Sequence, residues 1–577
     1  MFRLLQYLNN YRKQTILGPI FKMLEAFFEL LVPIVMAKII DVGIVNQDKS
    51  YIYKMGGVLV LLAVVGYLSS VTCQYFASYT SQGFGTELRN ACFPHILEFS
   101  HKDIDTMGAP SLITRLSNDI IQLQLAVAMF IRLAFRTPFI IVGATICAFY
   151  IDVKLSLLFL LMTPILALCI YFIIRLSTPI YKSIQQRLDH ISLIFRENLT
   201  GIRVIRAFSR KNDEISRFNH EVEEQKDDSL RVGKIAALSN PMTFMILNFA
   251  IVLLLYQSGN RVNIGNLSQG QVLALVNYMN QILQALLALS MILSVFNKAI
   301  VSGKRVQEIL DYPIKLTDSQ NQLQTKTNSN EIITFDHVSF KYQETSKKYI
   351  LNGINLTIEK GNTIGIIGGT GSGKSTLIQL IPRFYDIQEG RILINGIDVK
   401  EYRFDQLREM IRFVPQHAAL FSGTIRENMA WGKANPSDEE IYHALEIAQA
   451  KEFVDLLPKR LEHEVAQAGK NFSGGQRQRL TIARALISKP DILILDDSAS
   501  ALDFATDAKL RRALATKLKE TTVIIVSQRA SAIKHCDMII TLDKGEIVGK
   551  GSHQKLFNEC KIYREICLSQ LNEEEAM

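Results

Sequence analysis

Residues 363–378, TIGIIGGTGSGKSTLI, decide the fold of the second half of this chain. An apolar run rich in β-formers comes first, a glycine-rich stretch follows it, and a helical pattern begins at Lys374. The stretch from Gly368 to Ser375 fits GxxxxGK[ST], in which glycines let backbone N–H groups surround phosphate oxygens at the start of a helix. The spacing therefore predicts a phosphate-binding loop between a buried strand and a helix.

The side chains of this loop predict contacts with ATP and with Mg²⁺. We expect Lys374 to bring its charge to the β- and γ-phosphates and the Ser375 hydroxyl to bind Mg²⁺. The other loop residues expected to contact the nucleotide are Gly368, Gly371, Ser372, Gly373 and Thr376. A second buried strand, ILILD at 492–496, ends in Asp496, whose carboxylate suits a magnesium ion held through water.

Residues 471–476, NFSGGQ, lie between these two motifs, and with them residues 331–577 resemble the ATP-binding cassette (ABC) family. The resemblance implies a role for three further sites. Tyr342 in VSFKY would stack on adenine, Gln416 in FVPQ would bind Mg²⁺ and report to a membrane domain, and residues 500–503 (SALD) would form the D-loop. Strands that alternate with helices predict an α/β domain with a largely parallel sheet.

The family's architecture also implies that two cassettes pack head to tail around each nucleotide. The signature residues Ser473, Gly474, Gly475 and Gln476 would then contact ATP held by a partner chain, with Ser473 and Gly475 against its γ-phosphate. Ser473 precedes a helix, whose N–H groups and dipole favour an anion. The resemblance therefore implies a second half-transporter as partner.

Two positions depart from the family pattern. Where the family has a glutamate that polarises the attacking water, this chain has Asp497, and where it has a histidine, this chain has Gln528. A misplacement of ~1 Å can cost about 10²-fold in rate. We interpret Asp497 and Gln528 as a degenerate catalytic site, as in one half of heterodimeric bacterial multidrug exporters. A slower but ordinary ATPase site is the alternative.

The first 300 residues predict a helical membrane domain. Six apolar runs are each long enough to cross ~30 Å of hydrocarbon at ~1.5 Å per residue. They lie near 15–43, 55–80, 127–150, 155–178, 237–258 and 268–296. The start, MFRLLQYLNNYRKQ, predicts an interfacial helix. We therefore expect a six-helix transmembrane domain at 1–310, a polar linker at 311–330, and the cassette at 331–577.

The connections between these runs predict the orientation of the chain. Two are short, at 151–154 and 258–269, and two are long, at 80–126 and 179–236, the second being rich in Lys and Arg. The positive-inside tendency places the long connections, the cassette and both termini in the cytoplasm, as expected for a multi-pass protein of a bacterial cell membrane.

The long connections also carry marks of the exporter-type membrane domain. Helical spacing predicts that the membrane helices extend into the cytosol and reverse near 111–115 and 207–210. MGAPSLITRLSND (107–119) and ENLTGIRVIRAF (197–208) resemble the stretches that, in that family, include the coupling turns.

Polar residues in the spans bear on the cargo. Asn277, Asn280, Gln281 and Gln284 share one helical face, which we expect to line a cavity or to pack on another helix. Charges in the first and third spans lie either beyond the bilayer or in an aqueous cavity; they are Lys22, Glu25, Glu29, Arg132 and Arg136.

The sequence as a whole predicts an ATP-driven exporter of hydrophobic or cationic drug-like amphiphiles that works as a heterodimer. The alternatives are a homodimeric exporter of lipid or peptide, and an ATP-binding membrane sensor without transport. The net charge of +9 fits basic cytoplasmic loops, so no nucleic-acid partner is expected.

Overall fold

The computed structural model describes residues 2–314, 316, 318, 319, 330–342 and 348–570, and it forms two compact units. The first unit runs to Leu97 and continues over Ala109–Tyr312, and the second comprises Glu98–Gly108 and the chain from Pro313 onward. Most of the linker predicted at 311–330 lies outside the described residues.

Long helices make up the first unit. A 3₁₀ segment at Phe2–Tyr11 precedes them, and π-helical turns lie at Ile39–Ile44, Arg115–Asp119 and Phe130–Ala134. The helices, including α3 of the second unit, are α1 (Arg12–Lys38), α2 (Lys49–Leu97), α3 (His101–Met107), α4 (Ala109–Thr114), α5 (Ile120–Met129), α6 (Arg136–Ile151), α7 (Val153–Thr200), α8 (Ile202–Ala207), α9 (Lys211–Ala237), α10 (Ser239–Asn263) and α11 (Gln269–Leu310).

Five helical stretches of the described chain are long and apolar enough to cross a membrane. They are Lys49–Leu97, Ala109–Ile151, Val153–Thr200, Lys211–Asn263 and Gln269–Leu310. Helix α1 has 27 residues, or about 40 Å at ~1.5 Å per residue, but it carries the charges predicted for the first span. The unit therefore has five or six apolar helices, which confirms the predicted helical membrane fold.

The first reversal of the chain lies earlier than the sequence predicted. Residues 111–115, predicted as a turn, already belong to α4 and the π-helical turn after it, so that prediction is wrong. The break instead lies at 98–108, where Ser100 and Asp103 form a capping box that starts α3 and Gly108 ends it at φ 75°. Pro110 does not break α4, because it lies in the first turn, where proline is tolerated.

The second reversal lies where the sequence predicted it. Helix α8 ends at Ala207, Ser209 adopts φ 53°, and α9 begins at Lys211. The prediction of a turn at 207–210 is therefore confirmed.

Buried polar contacts join distant helices of the first unit. The Tyr278 hydroxyl donates to the Leu30 carbonyl at 2.6 Å, and this pair is fully buried. Asp119 accepts from the Ser302 hydroxyl at 2.8 Å and from Arg305 at 2.7 Å. Each contact satisfies polar groups that would be costly to bury alone.

Strands and helices alternate in the second unit, as predicted. After α3 its elements are β1 (Glu331–Phe340), β2 (Leu351–Glu359), β3 (Thr363–Gly368), α12 (Lys374–Leu380), β4 (Glu389–Ile394), β5 (Ile397–Asp398), α13 (Phe404–Met410), β6 (Ile411–Val414), β7 (Gly423–Thr424), α14 (Ile425–Ala430), α15 (Asp438–Ile447), α16 (Lys451–Asp455), β8 (Glu464–Val465), α17 (Gly474–Leu486), β9 (Ile492–Asp496), α18 (Phe504–Lys517), β10 (Thr522–Val526), α19 (Ala530–Ile533), β11 (Met538–Asp543), β12 (Glu546–Gly551), α20 (His553–Glu559) and α21 (Lys561–Leu568).

The main sheet of this unit brings the predicted site motifs to one edge. Its strand order is β12-β11-β3-β10-β9-β6, and all neighbours except β11 and β12 run parallel. In register, Val526 lies beside both Ile366 and Asp496. Strands β9 and β10 are buried throughout, as expected when both faces of a parallel sheet are covered. The carboxyl ends of β3, β10, β9 and β6 therefore meet at a single edge.

Candidate nucleotide-binding site

The phosphate loop joins β3 to α12 in a conformation that depends on glycine. Gly371 has φ 79° and open space where a Cβ would stand, so its backbone can approach a ligand closely. Gly373 has φ 100°, and a Cβ there would lie 2.8 Å from the Leu351 side chain. The loop thus forms the cradle predicted from Gly368–Ser375.

Lys374 lies across this loop. Its Nζ donates to the carbonyl oxygens of Gly368 and Gly369, each at 2.8 Å. Burial lowers the pKa of Lys374, and the nearby carboxylates of Asp497 and Asp496 oppose that shift. An ammonium held in this position suits the β- and γ-phosphates of a nucleotide.

Another loop side chain is also suited to a phosphate. Within the part of the chain that the structure describes, the Ser372 hydroxyl is buried and has no hydrogen-bond partner. A buried polar atom is costly when it is left unpaired, so this hydroxyl fits a site that receives phosphate oxygens.

Of the residues predicted to hold Mg²⁺, Asp496 and Gln416 lie at the ends of the neighbouring strands β9 and β6, and Ser375 lies in the first turn of α12. The Ser375 hydroxyl donates to Asp496 Oδ1 at 3.0 Å, so two oxygen ligands of the kind that Mg²⁺ prefers are in contact. Burial raises the pKa of Asp496, and the hydrogen bond from Ser375 opposes this. Gln416 follows β6, and its Nε2 lies 3.4 Å from Asp497 Oδ2 rather than against Asp496. These residues fit a magnesium ion.

The two positions that depart from the family pattern stand at the same edge. Asp497 adopts φ 44°, and its backbone N–H donates to the Val526 carbonyl at 3.0 Å. Burial raises the pKa of Asp497, while Arg529 and Lys374 lower it. Gln528 follows β10 and is exposed. Asp497 and Gln528 thus extend from adjacent strands, as residues that serve one site would.

Tyr342 lies beside the helix of the phosphate loop. Its hydroxyl is 3.0 Å from Thr376 Oγ1, and its ring packs edge-on against Tyr385 and Phe340 with centroids 5.2 and 5.1 Å apart. The predicted adenine-stacking residue is therefore placed next to the loop and held by aromatic neighbours.

The signature motif caps α17. Ser473 Oγ accepts from the Gln476 N–H at 3.3 Å, and Gln476 Oε1 accepts from the Ser473 N–H at 2.9 Å. This reciprocal capping box occupies the Gln476 side chain. A Cβ at Gly475 would lie 3.1 Å from the Ala501 carbonyl of the SALD stretch. Ser473 and Gly474 are exposed at the start of the helix, where a partner chain has access to them.

Two glutamines that the sequence did not single out fix the loops of this site. Gln478 is buried on α17, and its Nε2 donates to the carbonyl of Pro415, the residue before Gln416, at 3.3 Å. Gln570 accepts from the Ala530 N–H and donates to the Gln528 carbonyl, both at 2.8 Å. The second glutamine of SGGQRQR could have drawn attention to Gln478 in the sequence, whereas no local sequence pattern marks Gln570.

Helix α3 belongs to the cassette unit through an aromatic contact. The His101 ring stacks on Phe384 with centroids 4.7 Å apart, and it meets Tyr385, which in turn packs on Tyr342, at 6.1 Å. Burial lowers the pKa of His101, Arg408 lowers it further, and Asp105 opposes them. A chain of rings thus runs from α3 to Tyr342, the residue predicted to stack on adenine.

The polar face of α11 lines a cavity within the first unit. The cavity has a volume of about 430 Å³, and Asn277, Asn280, Gln281 and Gln284 contribute to its wall. The Arg136–Glu29 ion pair, 2.7 Å long, also lines the cavity. Of the two arrangements that the sequence left open for this face, the structure therefore has the cavity.

Comparison with known proteins matches both halves of the chain. The model of the ABC transporter transmembrane region matches residues 15–286, and that of the ABC transporter ATP-binding domain matches residues 351–500. The ABC transporter ATP-binding protein YfiB of Bacillus subtilis is 36% identical over 574 residues, covering 100% of this chain and 99% of that protein. The chain belongs to the ABC transporter family.

Other relatives of this ABC transporter extend the comparison. A Rickettsia felis protein named as an export ATP-binding/permease protein is 30% identical, with 99% of each chain covered. The structure of a bacterial Atm1-family ABC exporter with ATP bound has a TM-score of 0.79 at 23% identity and covers 97% of this chain and 99% of that one. This ABC transporter is thus a multi-pass membrane protein with the exporter fold and an ATP-binding cassette.

Proposed function

We propose that this ABC transporter exports amphiphilic drug-like compounds across a bacterial cytoplasmic membrane as one subunit of a heterodimer. Its own nucleotide site binds ATP and Mg²⁺ with little hydrolysis, and its signature motif completes the hydrolytic site held by a non-identical partner. One observation carries this proposal. Asp497 and Gln528 stand together beside a complete phosphate loop, while Ser473 is intact and exposed.

The binding half of the proposal rests on groups that are already in place. Lys374 and Ser372 suit phosphate oxygens, and Ser375 with Asp496 supplies oxygen ligands for Mg²⁺. None of these residues departs from the family pattern. The site therefore keeps what binding needs.

The hydrolytic half rests on what the two departures remove. Hydrolysis requires a carboxylate near the attacking water and a group that stabilises charge on the γ-phosphate. The Asp497 carboxylate is one methylene short of the family's glutamate. The Gln528 amide cannot take up a proton and become positively charged, as the family's histidine can. Both shortfalls affect the same chemical step, so the site is expected to hold ATP rather than turn it over.

Export is supported by three features. The name of the Rickettsia felis relative includes export, the fold is that of an exporter, and membrane domain and cassette are fused in one chain. The cytoplasmic placement of both termini follows from the basic long connections. The proposed cargo is a hydrophobic or cationic amphiphile, because the cavity beside α11 combines polar and apolar walls.

Two substitutions in the same chain test the division of labour. The full chain is purified alone and with the half-transporter that we expect to be encoded beside it, and Mg²⁺-dependent ATPase and dye export are measured in lipid vesicles. Ser473→Ala should abolish hydrolysis by the heterodimer, whereas Asp497→Asn should change it little. Lys374→Ala is the control that weakens ATP binding at this chain's own site.

The outcomes separate the proposal from its alternatives. Brisk ATPase and export by the chain alone, lost in both Ser473→Ala and Asp497→Asn, would establish a homodimeric exporter instead. ATP binding without export of any amphiphile, with or without the partner, would establish a sensor.

A further inference from the structure

The cavity beside α11 carries hydrogen-bond acceptors that the protein does not itself satisfy. Gln281 lines the cavity, and among the described residues its Oε1 is buried without a hydrogen-bond partner. An unpaired buried oxygen is costly, so the site gains when the Gln281 amide turns into the cavity and a ligand brings an N–H or O–H donor to its oxygen.

Two neighbouring amides on the same face, both exposed, also offer oxygen to a ligand. One N–H of Asn277 is engaged with the Leu273 carbonyl at 3.1 Å, and one of Asn280 with the Val276 carbonyl at 3.1 Å. These bonds to the preceding helical turn hold each amide nitrogen against its own helix. The amide oxygens are therefore the acceptors left for a ligand.

The charges that line the cavity cancel. Arg136 Nη2 donates to Glu29 Oε2 at 2.7 Å. Among the described residues that line the cavity, these are the single cation and the single anion, and they neutralise each other. Arg136 Nε is buried without a partner among the described residues, which adds a single donor to the wall. Because the pair has no net charge, the site selects ligands by hydrogen-bond donors more than by charge.

The rest of the wall suits a hydrocarbon. Val32, Pro33, Met36, Ile140 and Ala285 complete the lining. The volume of about 430 Å³ lies within the roughly 300–1,000 Å³ range of ligand pockets. An amphiphile with an apolar body and a donor-bearing head matches both parts.

We infer that the cavity binds amphiphiles with an N–H-bearing head, such as a primary or secondary ammonium group, and discriminates against quaternary ammonium of the same length. The inference rests on the proposed export function and narrows its cargo. A trimethylammonium head carries the same charge but no N–H, so it leaves the Gln281 oxygen unpaired. Sites built to hydrogen-bond a group reject the analogue that lacks it.

The test uses inside-out vesicles that contain the full-length transporter in its ATP-hydrolysing form. The probes are a fluorescent primary alkylamine and its N,N,N-trimethyl analogue of equal chain length. Fluorescent phosphatidylethanolamine and phosphatidylcholine form a second pair, which separates a drug-like amine from a lipid headgroup with the same ammonium group. ATP-driven uptake of the N–H-bearing member of at least one pair should exceed that of its methylated analogue by about tenfold.

Variants at one position locate the effect. Gln281→Leu should remove most of the preference for the N–H-bearing probe, and Gln281→Glu, which keeps an acceptor oxygen, should retain it. Gln257→Leu on α10 makes the same chemical change at an exposed position outside the cavity and should leave transport unchanged.

Three results would overturn the inference while leaving export intact. They are equal uptake within both pairs, uptake of other amphiphiles but of none of these probes, and a preference that Gln281→Leu does not alter. Failure to move any amphiphile would instead count against the proposed function, and the inference would fall with it.

Discussion

Lengthening the carboxylate at position 497 tests whether the short Asp497 side chain limits ATP hydrolysis at this site. Asp497 Oδ2 lies 3.4 Å from Gln416 Nε2, at the edge where β9 and β10 end. In Asp497→Glu one further C–C bond, about 1.5 Å, carries the carboxylate outward. The change supplies the residue type that the family has at this position, while the adjacent Asp496 and its bond to Ser375 stay as they are.

The size of the expected gain has an upper bound. A misplacement of ~1 Å costs about 10²-fold, which corresponds to ~2.7 kcal/mol in the barrier. That full factor is recovered only when every other group of the site is in place. Gln528 still cannot carry a positive charge, and we expect the partner's signature motif to depart from the family pattern. Asp497→Glu alone should therefore raise hydrolysis at this site by less than about tenfold. The same substitution, made where Gln528→His and a repaired partner signature are already present, should add a factor that approaches about 10².

The assay is single-turnover hydrolysis of labelled ATP by the heterodimer, with the partner's own catalytic glutamate removed so that only this site reports. Because Asp497 adopts φ 44°, where glutamate costs roughly 1–2 kcal/mol, thermal unfolding of each variant is measured beside the kinetics. A rise near 10²-fold in Asp497→Glu alone would refute the reasoning, because side-chain length would then be the whole deficit.

Three further predictions concern contacts elsewhere in the chain. Gln570→Ala removes two hydrogen bonds of 2.8 Å from the Gln528–Ala530 loop. It should lower the ATPase rate severalfold without changing ATP affinity, as ATPase assays and stopped-flow binding would measure. Gln570→Glu keeps the acceptor for the Ala530 N–H, so its effect should be milder. Because burial lowers the pKa of His101, the folded protein binds a proton at this residue less readily than the unfolded chain does. The stability of the fold should therefore fall as pH drops below the ordinary histidine pKa of about 6.5. His101→Phe should flatten that decline in thermal melts. Asp119→Ala leaves the buried Ser302 hydroxyl unpaired and should cost ~1–3 kcal/mol in the free energy of unfolding measured in detergent. The control is Asp227→Ala, because Asp227 is exposed and its ion pair with Lys226 is open to solvent.

The sequence predicted the parts of the cassette that depend on short motifs. GGTGSGKS and ILILD each specify a strand end and its adjoining loop, so parallel pairing was enough to bring Lys374, Ser375 and Asp496 together. The capping box of Ser473 and Gln476 is equally local, since three residues separate its members. Motifs of this kind can be predicted because the residues that determine their geometry are close together in the sequence.

What the sequence missed depends on contacts between distant residues. Gln570 meets Gln528 across 42 positions of the chain, and no spacing rule marks such a pair. The stacking of His101 on Phe384 is more distant still. The first reversal was misplaced because Ser100, which starts α3, and Gly108, which ends it, were not singled out in the sequence.

The stacking of His101 on Phe384 means that the cassette unit is not one continuous stretch of polypeptide. A protease cut or a gene fission near residue 312 would release a C-terminal fragment that lacks residues 98–108, and an aromatic surface would be left bare to water. Such a fragment is expected to self-associate, and adding a peptide of sequence 98–108 should restore its solubility. A division of the gene at that point would therefore leave Phe384 exposed unless another contact replaced His101.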